Sequence, residues 1–169
     1  QDVAQIATYI GGIVKSILLQ EGNFVKKGQA VIILEHPDFI KLQQEYIASK
    51  SNLSYLEKEY QRQKLLSENN AGTGKVYQEI ESKYNTEKGN VLALKSQLSI
   101  LSISTDALDK GEITRTISLK APIDGYVGHF NISVGGYAEP NKSLVDITNN
   151  SHLVAHLDVF EKDIVKISN

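Results

Sequence analysis

The two ends of this chain repeat each other at a constant offset of 113 residues, and no gap is needed to keep the copies in step. Gly12-Ile13-Val14 returns as Gly125-Tyr126-Val127, Gly22 as Gly135, Val25 as Ala138, Val31 as Leu144 and Leu34 as Ile147. A motif divided this way has to be completed by its own second copy. The segment between the copies must therefore leave and re-enter at nearly the same point in space.

Each copy reads as strand, turn, turn, strand. In the first, Ile13 to Leu19 is mostly aliphatic, Glu21-Gly22-Asn23 and Lys26-Lys27-Gly28 turn, and Ala30 to Leu34 is a short apolar strand. In the second, Tyr126 to Val134 is strand-like, Gly135-Gly136 and Pro140-Asn141 turn, and Ser143 to Thr148 closes the pattern. A few short strands do not hold together in water, whereas two interlocked halves share one apolar interior. The expected fold is α+β, with segments 1–36 and 120–150 forming one small β-sandwich.

The insert, 37–104, has a different period. Phe39, Leu42, Tyr46, Leu53, Leu56 and Tyr60 follow a 3,4 spacing with Ser49 at the one missed seam position. Asn69-Asn70-Ala71-Gly72-Thr73-Gly74 is a run that few helices carry inside them, and it puts a tip near 67–74. The period resumes at Tyr77, Ile80, Tyr84, Val91, Leu94, Leu98 and Leu101, with Glu87 out of character. About 30 residues per arm at 1.5 Å each predicts an antiparallel hairpin of roughly 45 Å. Pro37 suits a first helical turn, and Asp38 beside it favours the positive end of the helix dipole. The far end is less sharply marked, with Ser104-Thr105-Asp106 and Lys110-Gly111 breaking the heptad in a connector, 105–119, whose end from Arg115 is strand-like.

A net charge of -2 from 18 basic and 20 acidic residues leaves no cationic stripe for phosphates, which excludes nucleic acid as a partner. There is no nucleophile elbow, phosphate loop or spaced carboxylate pair, so an enzyme is not expected. Of the four histidines, His152 and His156 would share a strand face, with Asp158 at best a third ligand; without cysteine or methionine companions this is a weak metal candidate, and surface histidines fit it better. Gln1 follows no methionine or leader, and the alternation of Leu153, Ala155, Leu157 and Val159 begins something that stops at Asn169, as expected for a piece of a longer parent.

Ala121-Pro122-Ile123-Asp124-Gly125-Tyr126-Val127, together with Glu21-Gly22-Asn23-Phe24-Val25-Lys26-Lys27-Gly28-Gln29, resembles the biotinyl/lipoyl fold. Carriers of that fold place a cofactor-bearing lysine at the tight turn between halves, where this chain has Glu35-His36-Pro37 and the insert departs. A lipoyl fold split by a helical hairpin resembles the periplasmic adaptors, or membrane fusion proteins, of tripartite efflux pumps. Glu35-His36-Pro37-Asp38-Phe39 and Leu157-Asp158-Val159-Phe160-Glu161-Lys162-Asp163-Ile164 sharpen this towards the heavy-metal efflux branch of the resistance-nodulation-division (RND) class.

The resemblance implies that 151–169 begin a truncated β-barrel domain. It also implies a Gram-negative periplasmic protein anchored to the inner membrane, with no cofactor, assembling as a hexamer. Its partners would be an inner-membrane RND transporter and an outer-membrane TolC-like channel. Adaptors of this kind contact the channel through an arginine, a leucine four residues on and a serine seven further; Arg62, Leu66 and Thr73 stand at those spacings, with threonine for serine. The alternatives for the three are a solvated flank, inward packing and an N-cap. The rival functions are an adaptor of an ATP-driven (ABC-type) exporter and a lipoyl or biotinyl carrier domain.

Overall fold

The computed structural model describes residues 2–149. Eight strands and three helices follow in the order β1 (Asp2–Ile6), β2 (Gly12–Ile17), β3 (Phe24–Val25), β4 (Ala30–Glu35), α1 (Pro37–Glu68), α2 (Gly74–Ile100), α3 (Thr105–Asp109), β5 (Thr116–Lys120), β6 (Gly125–Phe130), β7 (Tyr137–Ala138) and β8 (Val145–Asn149). The strands form two four-stranded sheets, ordered β1-β8-β6-β3 and β5-β4-β2-β7. Shifting the first order by one repeat, β1 to β5, β6 to β2, β3 to β7 and β8 to β4, yields the second. Each sheet thus takes two strands from either end of the chain, and neither end has a complete sheet of its own.

The repeat reaches the individual hydrogen bonds. Gly22 N–H donates to Val127 O at 2.8 Å and Gly135 N–H to Val14 O at 2.8 Å; Val14 N–H donates to Gly136 O and Val127 N–H to Asn23 O, both at 2.9 Å. Backbone conformation is matched too, since Gly22 and Gly135 have φ of +80° and +85°. Their left-handed turns are why glycine recurs there. Gly12 and Gly125 recur for another reason: a Cβ would stand 3.0 Å from Glu35 O in the first case and 2.6 Å from Thr148 O in the second. The interior is filled by paired positions, Val14 with Val127, Val25 with Ala138, Val31 with Leu144 and Leu34 with Ile147, all buried.

The strands differ in part from the sequence reading, which did not single out β1, β3 or β7. β6 ends at Phe130 rather than Val134, because a register shift between Val127 and Phe130 turns the chain so that Asn131 N–H meets Leu144 O. In the stretch 105–119, Ser104 Oγ accepts from Ala107 N–H to start α3, which the sequence reading did not foresee, while the strand-like end expected from Arg115 is β5, paired with β4.

The insert forms two antiparallel helices, about 48 Å and 40 Å long at 1.5 Å per residue. Their seam runs along the 3,4 positions, with Ser49 and Glu87 both half-buried on it. Farther out, Tyr60 bridges the arms, its ring 5.2 Å from Tyr84 and 5.7 Å from Tyr77. Pro37 occupies the first helical position, and the cap is His36, whose Nδ1 accepts from Asp38 N–H at 3.1 Å. No helix among the described residues is long and apolar enough to cross a membrane.

Candidate functional site

The hairpin tip is where the arms stop covering each other. α1 closes on Asn69, whose side-chain Nδ2 donates to Leu65 O at 2.7 Å, and Asn70 takes a left-handed φ of 54° that reverses the chain. Asparagine tolerates this conformation because its short polar side chain can bond locally. Ala71 N–H then donates to Leu66 O at 2.9 Å. Gly72 lies against Leu66, and a Cβ there would sit 3.2 Å from the leucine Cβ.

Arg62 lies one helical turn before Leu66, so the two share a face of α1. Its Nη1 is 2.9 Å from Glu59 Oε2, yet its side chain is 69% exposed, so the guanidinium keeps donors free for a further partner. Leu66 is 37% exposed and only partly folded over the turn. Thr73 stands at the N-cap position of α2 with extended backbone, and its carbonyl accepts from Val76 and Tyr77 N–H. Of the alternative reading of Thr73 as an N-cap, the position holds, but its hydroxyl makes no capping bond. Gly72, the neighbour of Thr73 in the chain, lies against Leu66, and Arg62 is one turn farther from the tip on α1.

The sequence reading missed two apolar side chains at the tip. Leu65 is 59% exposed and Val76 41% exposed. The signal was legible: Leu65 and Leu66 are adjacent, and the seam position that follows them is Ser67, so neither leucine is spent on the seam. An exposed arginine beside two or three uncovered aliphatic groups, on a turn held by its own backbone, suits packing against another protein's helices.

The tyrosines below the tip hold the arms together. Tyr60 and Tyr77 hydroxyls lie 3.3 Å apart, and Tyr77 also donates to Glu81 Oε1 at 3.3 Å. The bond to Tyr60, followed by desolvation and the Glu81 charge, pushes the Tyr77 hydroxyl up to about 12, so Tyr77 keeps its proton across the physiological range.

A β-sandwich interleaved from two chain ends and opened by a long helical hairpin is a barrel-sandwich hybrid. This chain belongs to the CzcB-like barrel-sandwich hybrid domain family, whose model matches residues 2–149. It is 24% identical over 166 residues to the cobalt-zinc-cadmium resistance protein CzcB of Cupriavidus metallidurans, covering 97% of this chain and 31% of that protein. It is 26% identical over 165 residues to an uncharacterized protein of Haemophilus influenzae, covering 97% of this chain and 38% of the other. The chain therefore spans about a third of the length of these relatives.

Solved structures agree on the fold. A putative efflux transporter from Bacteroides eggerthii superposes with a TM-score of 0.65 at 18% identity, over 89% of this chain and 40% of the other. ZneB from Cupriavidus metallidurans gives 0.62 at 16% identity, over 88% and 61%. The CzcB-like branch to which Glu35 to Phe39 and Leu157 to Ile164 pointed agrees with the family whose model matches. His152, His156, Asp158 and the strand expected to open a β-barrel lie outside the described residues.

Proposed function

We propose that this chain is the hairpin-bearing part of a periplasmic adaptor. In this reading it bridges an inner-membrane RND-type transporter and an outer-membrane TolC-like channel for the efflux of heavy-metal cations, several copies standing side by side as a hexamer. One observation carries the proposal: the ends of β4 and β5, paired at Glu35 and Thr116, are joined by a hairpin with an uncovered, backbone-braced tip instead of a tight turn. That exchange supports an adaptor over a cofactor carrier, since no lysine stands where a carrier's turn would be. Membership of the CzcB-like family, and the resistance protein among the relatives, favour metal cations as cargo.

In this reading Arg62 bonds carbonyls or carboxylates of the channel's helices, Leu66 fills a gap between them, and the Thr73 hydroxyl, unused as a cap, supplies a further hydrogen bond. The test is site-specific cross-linking of the tip to the channel in cells carrying the full pump. The double variant Arg62→Asp/Leu66→Ser is expected to lose the cross-link and metal tolerance while keeping its helicity. Cross-linking and tolerance equal to the unaltered protein would refute tip docking.

A further inference from the structure

We propose that Gln43 aims the hairpin: its side-chain amide clasps the backbone of Thr114 and so sets the direction in which both arms leave the sandwich. The consequence for docking rests on the adaptor reading; the clasp itself does not.

The need for such a residue follows from the topology. β4 passes into α1 through His36 alone, and α2 returns through 101–115 to β5, the neighbour of β4, with Glu35 opposite Thr116. Two tethers at adjacent strand ends make a hinge, and neither opposes a swing about it. Phe39, Tyr46, Leu98 and Leu101 pack at the base, but apolar burial is non-directional and tolerates sliding. A third, directional point of attachment is required.

Gln43 supplies it. The residue lies six positions beyond Pro37, about 9 Å along α1, and is 0% exposed. Thr114 N–H donates to its Oε1 at 2.9 Å, while its Nε2 donates to Thr114 O at 2.7 Å and to Phe39 O at 2.5 Å. The amide thus pairs with both backbone groups of one residue, as the residue opposite on a neighbouring strand would, and both of its N–H groups are used. Thr114 is itself tied to β5, its Oγ1 donating to Thr116 O at 3.0 Å and accepting from Thr116 N–H at 3.3 Å. His36, Gln43 and Thr114 therefore form a closed triangle between arm and sheet. Lys50, seven residues farther along the same face, reaches Asp109, but both side chains of that pair are well exposed and its weight is small.

No close relative of glutamine can replace this arrangement. Glutamate could accept from Thr114 N–H, but it would face Thr114 O and Phe39 O with no hydrogen as a carboxylate and with only one, for two acceptors, when protonated. Leucine would leave both peptide groups unpaired, and asparagine is one methylene short.

The chain has no cysteine, so cysteines introduced at Ser82 and Asn131 can carry spin labels reporting the distance between arm and sandwich. Pulsed dipolar spectroscopy should show a single narrow distribution that Gln43→Leu and Gln43→Glu each broaden by about twofold, with helicity retained, and that Lys50→Ala leaves unchanged. Distributions as narrow in the Gln43 variants as in the parent would overturn the proposal.

A second measurement needs no Gln43 variant. In the unaltered chain the Thr114 amide should exchange with solvent at least roughly tenfold more slowly than that of Ile113, and equal rates would overturn the clasp. Broadened distributions with undiminished channel cross-linking would support the clasp and count against tip docking. Narrow distributions in the Gln43 variants, with cross-linking lost in Arg62→Asp/Leu66→Ser, would do the reverse.

Discussion

The sandwich and the hairpin solve the burial problem in opposite ways. In the sandwich Val25, Val31, Ile32, Leu34, Ala138, Val145 and Ile147 are all 0% exposed, each held by strands from the other end of the chain. In the arms the buried apolar residues are Phe39, Tyr46, Leu56 and Leu98, three of them at the base, and apart from Leu56 the seam beyond is half-buried. Two helices alone have only one face each to hide, so a projecting hairpin keeps most of its surface in water. Stability is therefore concentrated in the sandwich, and the outer hairpin is free to specialise for contact without endangering the fold.

The largest expected difference is between leucines. Leu34→Ala, in a closed interior, should cost about 2–5 kcal/mol in urea unfolding, whereas Leu94→Ala on the half-buried seam should cost about 1 kcal/mol. Equal losses would break the contrast.

Glycines should differ in sign. Gly125→Ala drives a Cβ against Thr148 O and should cost about 1–3 kcal/mol, while Gly89→Ala, in open space inside α2, should raise stability by about 0.5–1 kcal/mol. Thermal midpoints of the two variants on either side of the parent would sharpen the comparison.

The smallest effect is electrostatic. Glu79 Oε1 lies 2.6 Å from Lys83 Nζ, and the hydrogen bond and charge of that lysine hold its carboxyl below the ordinary 4.5. A carboxyl lowered in the folded state stabilises above its unfolded pKa and loses that contribution as pH falls through the folded value. Helicity should thus decline slightly on acidification below about pH 4.5 in the parent but less in Glu79→Gln. High salt should erase the difference, because both side chains are more than half exposed.

Much of this architecture could be read from one-dimensional pattern. The repeat announced the interleaved sandwich because Gly22 and Gly135 serve the same left-handed turn, and Gly12 and Gly125 the same close approach, so identical steric demands recur at a fixed offset. The 3,4 spacing announced the arms because coiled-coil seams are set by local periodicity. Arg62, Leu66 and Thr73 are singled out by the resemblance to adaptors and not by local pattern, and whether Thr73 caps α2 with its hydroxyl depended on a rotamer that no pattern encodes. His36 escaped notice because a histidine cap has no strong compositional signature. Gln43 escaped for a deeper reason: on a helix it looks like any solvated polar residue, and only the return of the chain at Thr114, 71 positions away, buries it.

Sequence by itself determined the longer strands and both arms, and that the two ends must complete one another, because glycine sterics and apolar period act over a few residues and were written twice. Tertiary structure decided how the arms are held against the sandwich and which side chains the tip leaves uncovered. Those depend on groups distant in the chain meeting at hydrogen-bonding distance, and a directional bond exists only once both partners have been brought to their places.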